Sequence, residues 1–153
     1  MNVHGGPTSA RGASFSPDTC FFTDRGWAVL EVNYRGSTGY GERYRQALAG
    51  RWGELDTRDC SQGARAMIDQ GVADPSRMAI KGGSSGGFTV LNVLAEHPGL
   101  FRAGISNYGV TDLVQLELTT HKFESRYLHS LVGPYPERTD LYHARSPVHR
   151  GAS

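Results

Sequence analysis

The chain holds only two cysteines, Cys20 and Cys60, in 153 residues. They stand alone, without the paired spacing of a metal knuckle, and are too few for a disulfide scaffold. They read as free thiols in a reducing compartment, which points to the cytoplasm. Charge of one sign is also missing: the net charge is +1. This excludes a strong pull toward nucleic acid or an anionic membrane surface. No apolar run approaches the roughly 20 residues of a membrane span. The start, Met1 to Pro7, has neither the basic region nor the apolar stretch of a secretory leader. Repeats and low-complexity tracts are absent as well, and the length suits one domain.

Glycine is abundant instead, with 20 residues. They gather in short clusters where strands are predicted to end, positions that need tight turns or close backbone approach. Met1–Val3 reads as the last residues of a strand, cut short before His4-Gly5-Gly6-Pro7. Cys20–Arg25 reads as a helix end closing at Gly26. Trp27–Asn33 is apolar and rich in strand formers, as in a strand buried on both faces of a parallel sheet. A glycine-rich loop, Tyr34–Gly41, leads to a short helix over Glu42–Ala49. Asp56–Gln70 has one apolar face made by Cys60, Ala64, Met67 and Ile68, with Asp56 as its expected N-cap. Asp74-Pro75 makes a turn before a strand at Arg77–Lys81. Phe88–Glu96 is a helix, Ala103–Tyr108 a strand, Leu113–Leu131 a helix and Asp140–Arg145 a short helix. Strands alternating with helices predict the α/β class, a mostly parallel sheet with helices on both faces.

The strongest chemical signal is Gly82-Gly83-Ser84-Ser85-Gly86-Gly87, between a strand and a helix. That context is required of a Gly-x-Ser-x-Gly nucleophile elbow, where a serine sits on a strained turn and the following helix offers N–H groups to a developing oxyanion. Spacing allows two registers, Ser84 between Gly82 and Gly86 or Ser85 between Gly83 and Gly87. A phosphate loop is excluded because Lys81 precedes the glycines rather than following them. The second signal is His4-Gly5-Gly6-Pro7 directly after an apolar residue. Glycines there let backbone N–H groups approach a substrate oxygen. The loop Gly36–Gly41 lacks the glycine spacing of a dinucleotide site, and Asp56 with Asp59 reads as a helix start rather than a metal site. Residues 123–127, Phe-Glu-Ser-Arg-Tyr, read as a solvated helix face. No metal site and no cofactor are expected.

His4–Ser9, Asn33–Gly41, Trp52-Gly53 with Asp56 and Asp59, and Gly82–Gly87 occur together and in order. In this the chain resembles the catalytic domain of the prolyl oligopeptidase family, in its acylaminoacyl-peptidase and dipeptidyl-peptidase-like branch, over nearly its whole length. The resemblance implies a partial α/β-hydrolase fold and a serine-type peptidase acting on short peptides. It places the nucleophile at Ser84 and the oxyanion donors at the N–H groups of Ser85 and of Gly5 or Gly6. His4, where prolyl oligopeptidases proper carry a tyrosine, takes a structural role. In the family the acid and the histidine of the triad follow later strands, and a β-propeller precedes the domain. Neither is expected in this chain. His97, His121, His129, His143 and His149 follow no apolar strand, and Asp112 and Asp140 do not fit the family's acid position. The expectation is therefore a domain truncated at both ends, residues 1–153, inactive without the missing half-domain and propeller as partners. Two rivals share the motifs: an esterase or lipase-like hydrolase, and a non-catalytic fragment or pseudoenzyme.

Overall fold

The computed structural model describes residues 1–120 and 125–151. Four parallel strands make one sheet, β1 (Asn2–Val3), β2 (Glu31–Val32), β3 (Ala79–Gly83) and β4 (Ala103–Asn107), in the order β2-β1-β3-β4. Helix α1 (Pro17–Thr23) joins β1 to β2, and α2 (Glu42–Gln46) and α3 (Leu55–Asp69) join β2 to β3. Helix α4 (Ser85–Glu96) joins β3 to β4, and α5 (Leu113–Thr119), α6 (Ser125–Leu131) and α7 (Thr139–Arg145) follow. This is the expected α/β architecture of an α/β-hydrolase sheet.

Strand side chains alternate between faces. Ile80 and Gly82 turn toward α4, and Gly104 of β4 lies against Leu94 of the same helix. Helix α4 buries Phe88, Val90 and Val93 there, and the Trp52 ring packs on Phe88 at 4.4 Å between centroids. On the other face, Asn2, Lys81 and Ile105 are in register. Helix α1 lies on this face: Lys81 Nζ donates to Asp18 Oδ2 at 2.5 Å and sits over the Phe22 ring.

The strand expected over Trp27–Asn33 is paired only at Glu31–Val32. Its neighbour β1 supplies two residues, and the ladder ends where Asn2 N–H donates to Leu30 O at 2.8 Å. Trp27 and Val29 are strand formers, but residues 27–29 have no strand beside them among the described residues, so propensity alone does not make them a strand. The strand expected at Arg77–Lys81 starts later, at Ala79, because Pro75–Arg77 forms a 3₁₀ turn capped by Asp74, and it runs on to Gly83. Asp56 is not an N-cap. Helix α3 begins at Leu55, and Asp56 is turned into the core. The single helix expected over Leu113–Leu131 is instead α5, ending at an extended Thr120, and α6. His121, Phe123 and Glu124 lie outside the described residues. Tyr127 is more than part of a solvated face: its hydroxyl bonds Thr8 Oγ1 at 2.8 Å, tying α6 to the His4–Ser9 loop.

Candidate active site

One residue separates β3 from α4. Ser84 has φ 54° and ψ −123°, a conformation that costs a residue with a side chain about 1–3 kcal/mol. Its surroundings impose it. Ser84 N–H donates to Asn107 O at 3.0 Å, and its carbonyl accepts from Phe88 N–H at 3.1 Å. Glycines let the strand and helix meet this closely. A Cβ on Gly82 would lie 2.6 Å from the Gly86 carbonyl, and one on Gly86 would lie 2.4 Å from Val3 O. Ser84 is exposed at the tip of the turn, whereas Ser85 is buried and opens α4. The two registers that spacing left open are thus geometrically distinct. Ser85 N–H lies in the first helical turn, where amides have no acceptor within the helix.

The His4–Pro7 loop lies against this turn. A Cβ on Gly5 would be 2.9 Å from Gly83 O and 3.6 Å from Ser84 Cβ, so only glycine brings its backbone this near the serine. Each amide of the loop is fixed through the carbonyl that shares its peptide plane. Tyr34 Oη–H donates to His4 O at 3.2 Å, which orients the Gly5 N–H. His4 Nδ1 lies 3.1 Å from Gly5 O, which orients the Gly6 N–H. A carbonyl can only accept, so Nδ1 carries the proton. Nε2, 2.9 Å from Ser37 Oγ, then accepts from that buried hydroxyl. The ring also stacks on Tyr34, with centroids 4.4 Å apart. Burial lowers the His4 pKa, which favours the neutral ring this arrangement needs.

Asp56 secures the helix behind the serine. Its carboxylate accepts Gly53 N–H at 2.7 Å and the Thr89 hydroxyl at 2.5 Å, joining α3 to the second turn of α4. Burial raises its pKa to about 6, against these hydrogen bonds, which pull it down. Sequence reasoning missed this role because an aspartate near a helix start looks like a cap. Asp59, its neighbour in the motif, holds the Asn33–Gly41 loop by pairing with the Arg35 guanidinium at 2.5 Å and accepting the Arg35 backbone N–H. Tyr108 was also missed. It is 85% exposed at φ 42°, and a Cβ on Gly83 would lie 2.9 Å from its hydroxyl, which places its ring beside the elbow.

Among the described residues no histidine hydrogen-bonds Ser84. His4 is engaged as above, His129 faces Glu117 at 3.0 Å, and His143 and His149 face each other. Asp112 caps α5, accepting from Val114 N–H and Gln115 N–H, and Asp140 pairs with Arg138 on the surface. No group of three or more metal-ligating side chains occurs among the described residues.

The chain is similar to several known proteins. Over 153 residues the chain is 33% identical to the acylamino-acid-releasing enzyme of Arabidopsis thaliana, covering 95% of this chain and 20% of that protein. It is 39% identical to dipeptidyl peptidase family member 6 of Caenorhabditis elegans over 74% of this chain and 15% of that one. A puromycin-hydrolyzing peptidase of Mycobacterium tuberculosis superposes with a TM-score of 0.94 at 44% identity, covering 97% of this chain and 22% of the other. An acylaminoacyl peptidase in complex with Z-Gly-Gly-Phe-chloromethyl ketone gives 0.87 at 28%, covering 97% of this chain and 24% of that one. The chain therefore spans about a fifth of the length of these relatives. The model of the prolyl oligopeptidase family, Peptidase_S9, matches residues 13–152, and the chain belongs to that family.

Proposed function

We propose that this chain is the nucleophile-bearing part of a serine peptidase that hydrolyses short peptides, with Ser84 as nucleophile. The observation that carries the reading is the strained, exposed Ser84 between β3 and α4 with Gly5 packed against it. Ser84 Oγ would attack a peptide carbonyl. The N–H groups of Ser85 and of Gly5 or Gly6 would receive the oxyanion, the last two held in place through the carbonyls of His4 and Gly5. The base and its orienting acid come from chain beyond the described residues, and the family's other domains, a second half of the catalytic domain and a propeller, are the partners. The acylaminoacyl and dipeptidyl names of the relatives support a short-peptide substrate. The chemistry needs no cofactor. Cys20 and Cys60 are free, which supports a reducing compartment, the cytoplasm, and no described helix is long and apolar enough to cross a membrane.

A serine without its base loses about 10⁴-fold or more in rate. The 153-residue chain is expected to hydrolyse acylated amino-acid and short-peptide reporters no faster than background. Turnover typical of an intact serine peptidase, abolished by Ser84→Ala, would mean that a base lies within this chain.

A further inference from the structure

Away from the elbow, α7 and the 3₁₀ turn after it carry the two histidines that face each other. His143 Nδ1 and His149 Nε2 lie 3.0 Å apart, with ring centroids at 4.9 Å and planes tilted by 47°. Both rings are exposed. We propose that this pair is a binding site for a divalent transition-metal ion, Cu²⁺ first and Ni²⁺ after it, with water completing the coordination.

Two nitrogens each about 2.0–2.1 Å from one metal ion lie roughly 3 Å apart. At 3.0 Å the two rings are already within chelating reach of each other. Imidazole suits these metals, and Cu²⁺ binds such donors most tightly of the divalent series. In the free protein one ring donates an N–H to the other. On metal binding the donor ring shifts that proton to its other nitrogen, and both exposed rings turn to bring their lone pairs onto the metal.

The backbone that presents the rings is fixed. Ser146, fully buried between them in sequence, accepts Leu113 N–H at 2.8 Å and donates to Tyr142 O at 2.6 Å through its hydroxyl. Val148 N–H donates to Thr111 O at 3.0 Å and His149 N–H to Ser146 O at 3.1 Å. Pro147 restricts the turn further. Arg150, which follows His149, is occupied by Ala144 O at 2.6 Å and by the Glu96 carboxylate. Two positioned imidazoles therefore meet in open solvent. The histidines are six residues apart, so their sequence spacing gave no metal motif. The inference is independent of the peptidase reading.

The test is titration of the metal-free 153-residue chain with Cu²⁺, Ni²⁺ and Zn²⁺, followed by calorimetry and, for Cu²⁺, by electron paramagnetic resonance. The expected result is one Cu²⁺ per chain with two coordinated nitrogens and affinities in the order Cu²⁺, Ni²⁺, Zn²⁺. His143→Gln and His149→Gln should each weaken Cu²⁺ binding by at least about tenfold, the scale on which even outer partners of metal ligands act. His97→Gln should not, and all variants should keep wild-type circular dichroism. Undiminished Cu²⁺ binding in the His143→Gln/His149→Gln double variant would overturn the site. Zn²⁺ binding as tight as Cu²⁺ would overturn the assignment of Cu²⁺ as the preferred ion.

Discussion

On the α4 face of the sheet, Gly82 and Gly86 lie so close that a Cβ on either would meet backbone at 2.6 Å or less, while Phe88, Val90 and Val93 are fully buried. On the α1 face, Lys81 is held by one exposed carboxylate, Ile105 is 54% exposed and Trp27 is 44% exposed. One sheet thus carries a dry, tightly packed side and an open side. The serine at the elbow is held from the dry side, through α4, Asp56 and the glycines. Strain at Ser84 persists because a close-packed structure on one face over-determines it.

The largest difference between the faces should come from adding a single methyl group. Gly86→Ala drives a Cβ into the carbonyls of Val3 and His4, which are backbone and cannot yield, and should cost about 3 kcal/mol or more in urea unfolding. Gly12→Ala, where nothing lies within 4 Å, should stay within about 0.5 kcal/mol of wild type. Gly12 lies in the exposed loop before α1, so equal costs at the two positions would contradict the close packing that holds the elbow on the α4 face.

Asp56 tests the electrostatics of the dry side. Its folded pKa of about 6 lies above the ordinary carboxyl value of 3.8. Between those values the native state holds a proton that the unfolded state has released. The group's contribution is therefore most favourable at low pH and is lost as pH rises through about 6. Asp56→Asn can still accept from Gly53 and bond Thr89 but escapes this loss. Relative to wild type it should gain about 2 kcal/mol between pH 4 and pH 7.5. A difference that does not change with pH would contradict a buried, titrating Asp56.

A smaller effect on stability, but a large one on chemistry, is expected at His4. His4→Ala frees the Gly5 carbonyl and so the Gly6 N–H. In a peptidase domain that includes this chain, kcat/KM should fall by about 10²-fold, the scale of losing one oxyanion donor. Gly5 and Gly6 amides should exchange faster, while those of β3 stay protected. Full activity after this change would show that the loop is held without the imidazole.

The elements on the dry side were the more legible in the sequence. The Gly-Ser cluster, the strand before it and the helix after it follow from local rules, because an elbow is set by residues within a few positions of each other. Helix α7 also lies within one residue of its expected start. What failed depended on partners distant in sequence. Residues 27–29 read as part of a strand but have no ladder partner among the described residues, where β1 is Asn2–Val3. Asp56 reads as a cap but is claimed by Thr89, 33 residues away. The break after Thr119 follows no proline or glycine within the 113–131 segment. Spacing could not choose between Ser84 and Ser85, because both have glycines two residues to either side. The difference lies in a single backbone angle.

That angle gives the most direct test of the account. A fluorophosphonate probe is applied to a catalytic domain that joins this chain to segments supplying the acid and the histidine, and the adduct is located by mass spectrometry. The account predicts the adduct on Ser84, with Ser84→Ala losing at least about 10⁴-fold in activity and Ser85→Ala keeping most of it, since Ser85 contributes only a backbone N–H. An adduct on Ser85, with Ser84→Ala still active, would contradict it.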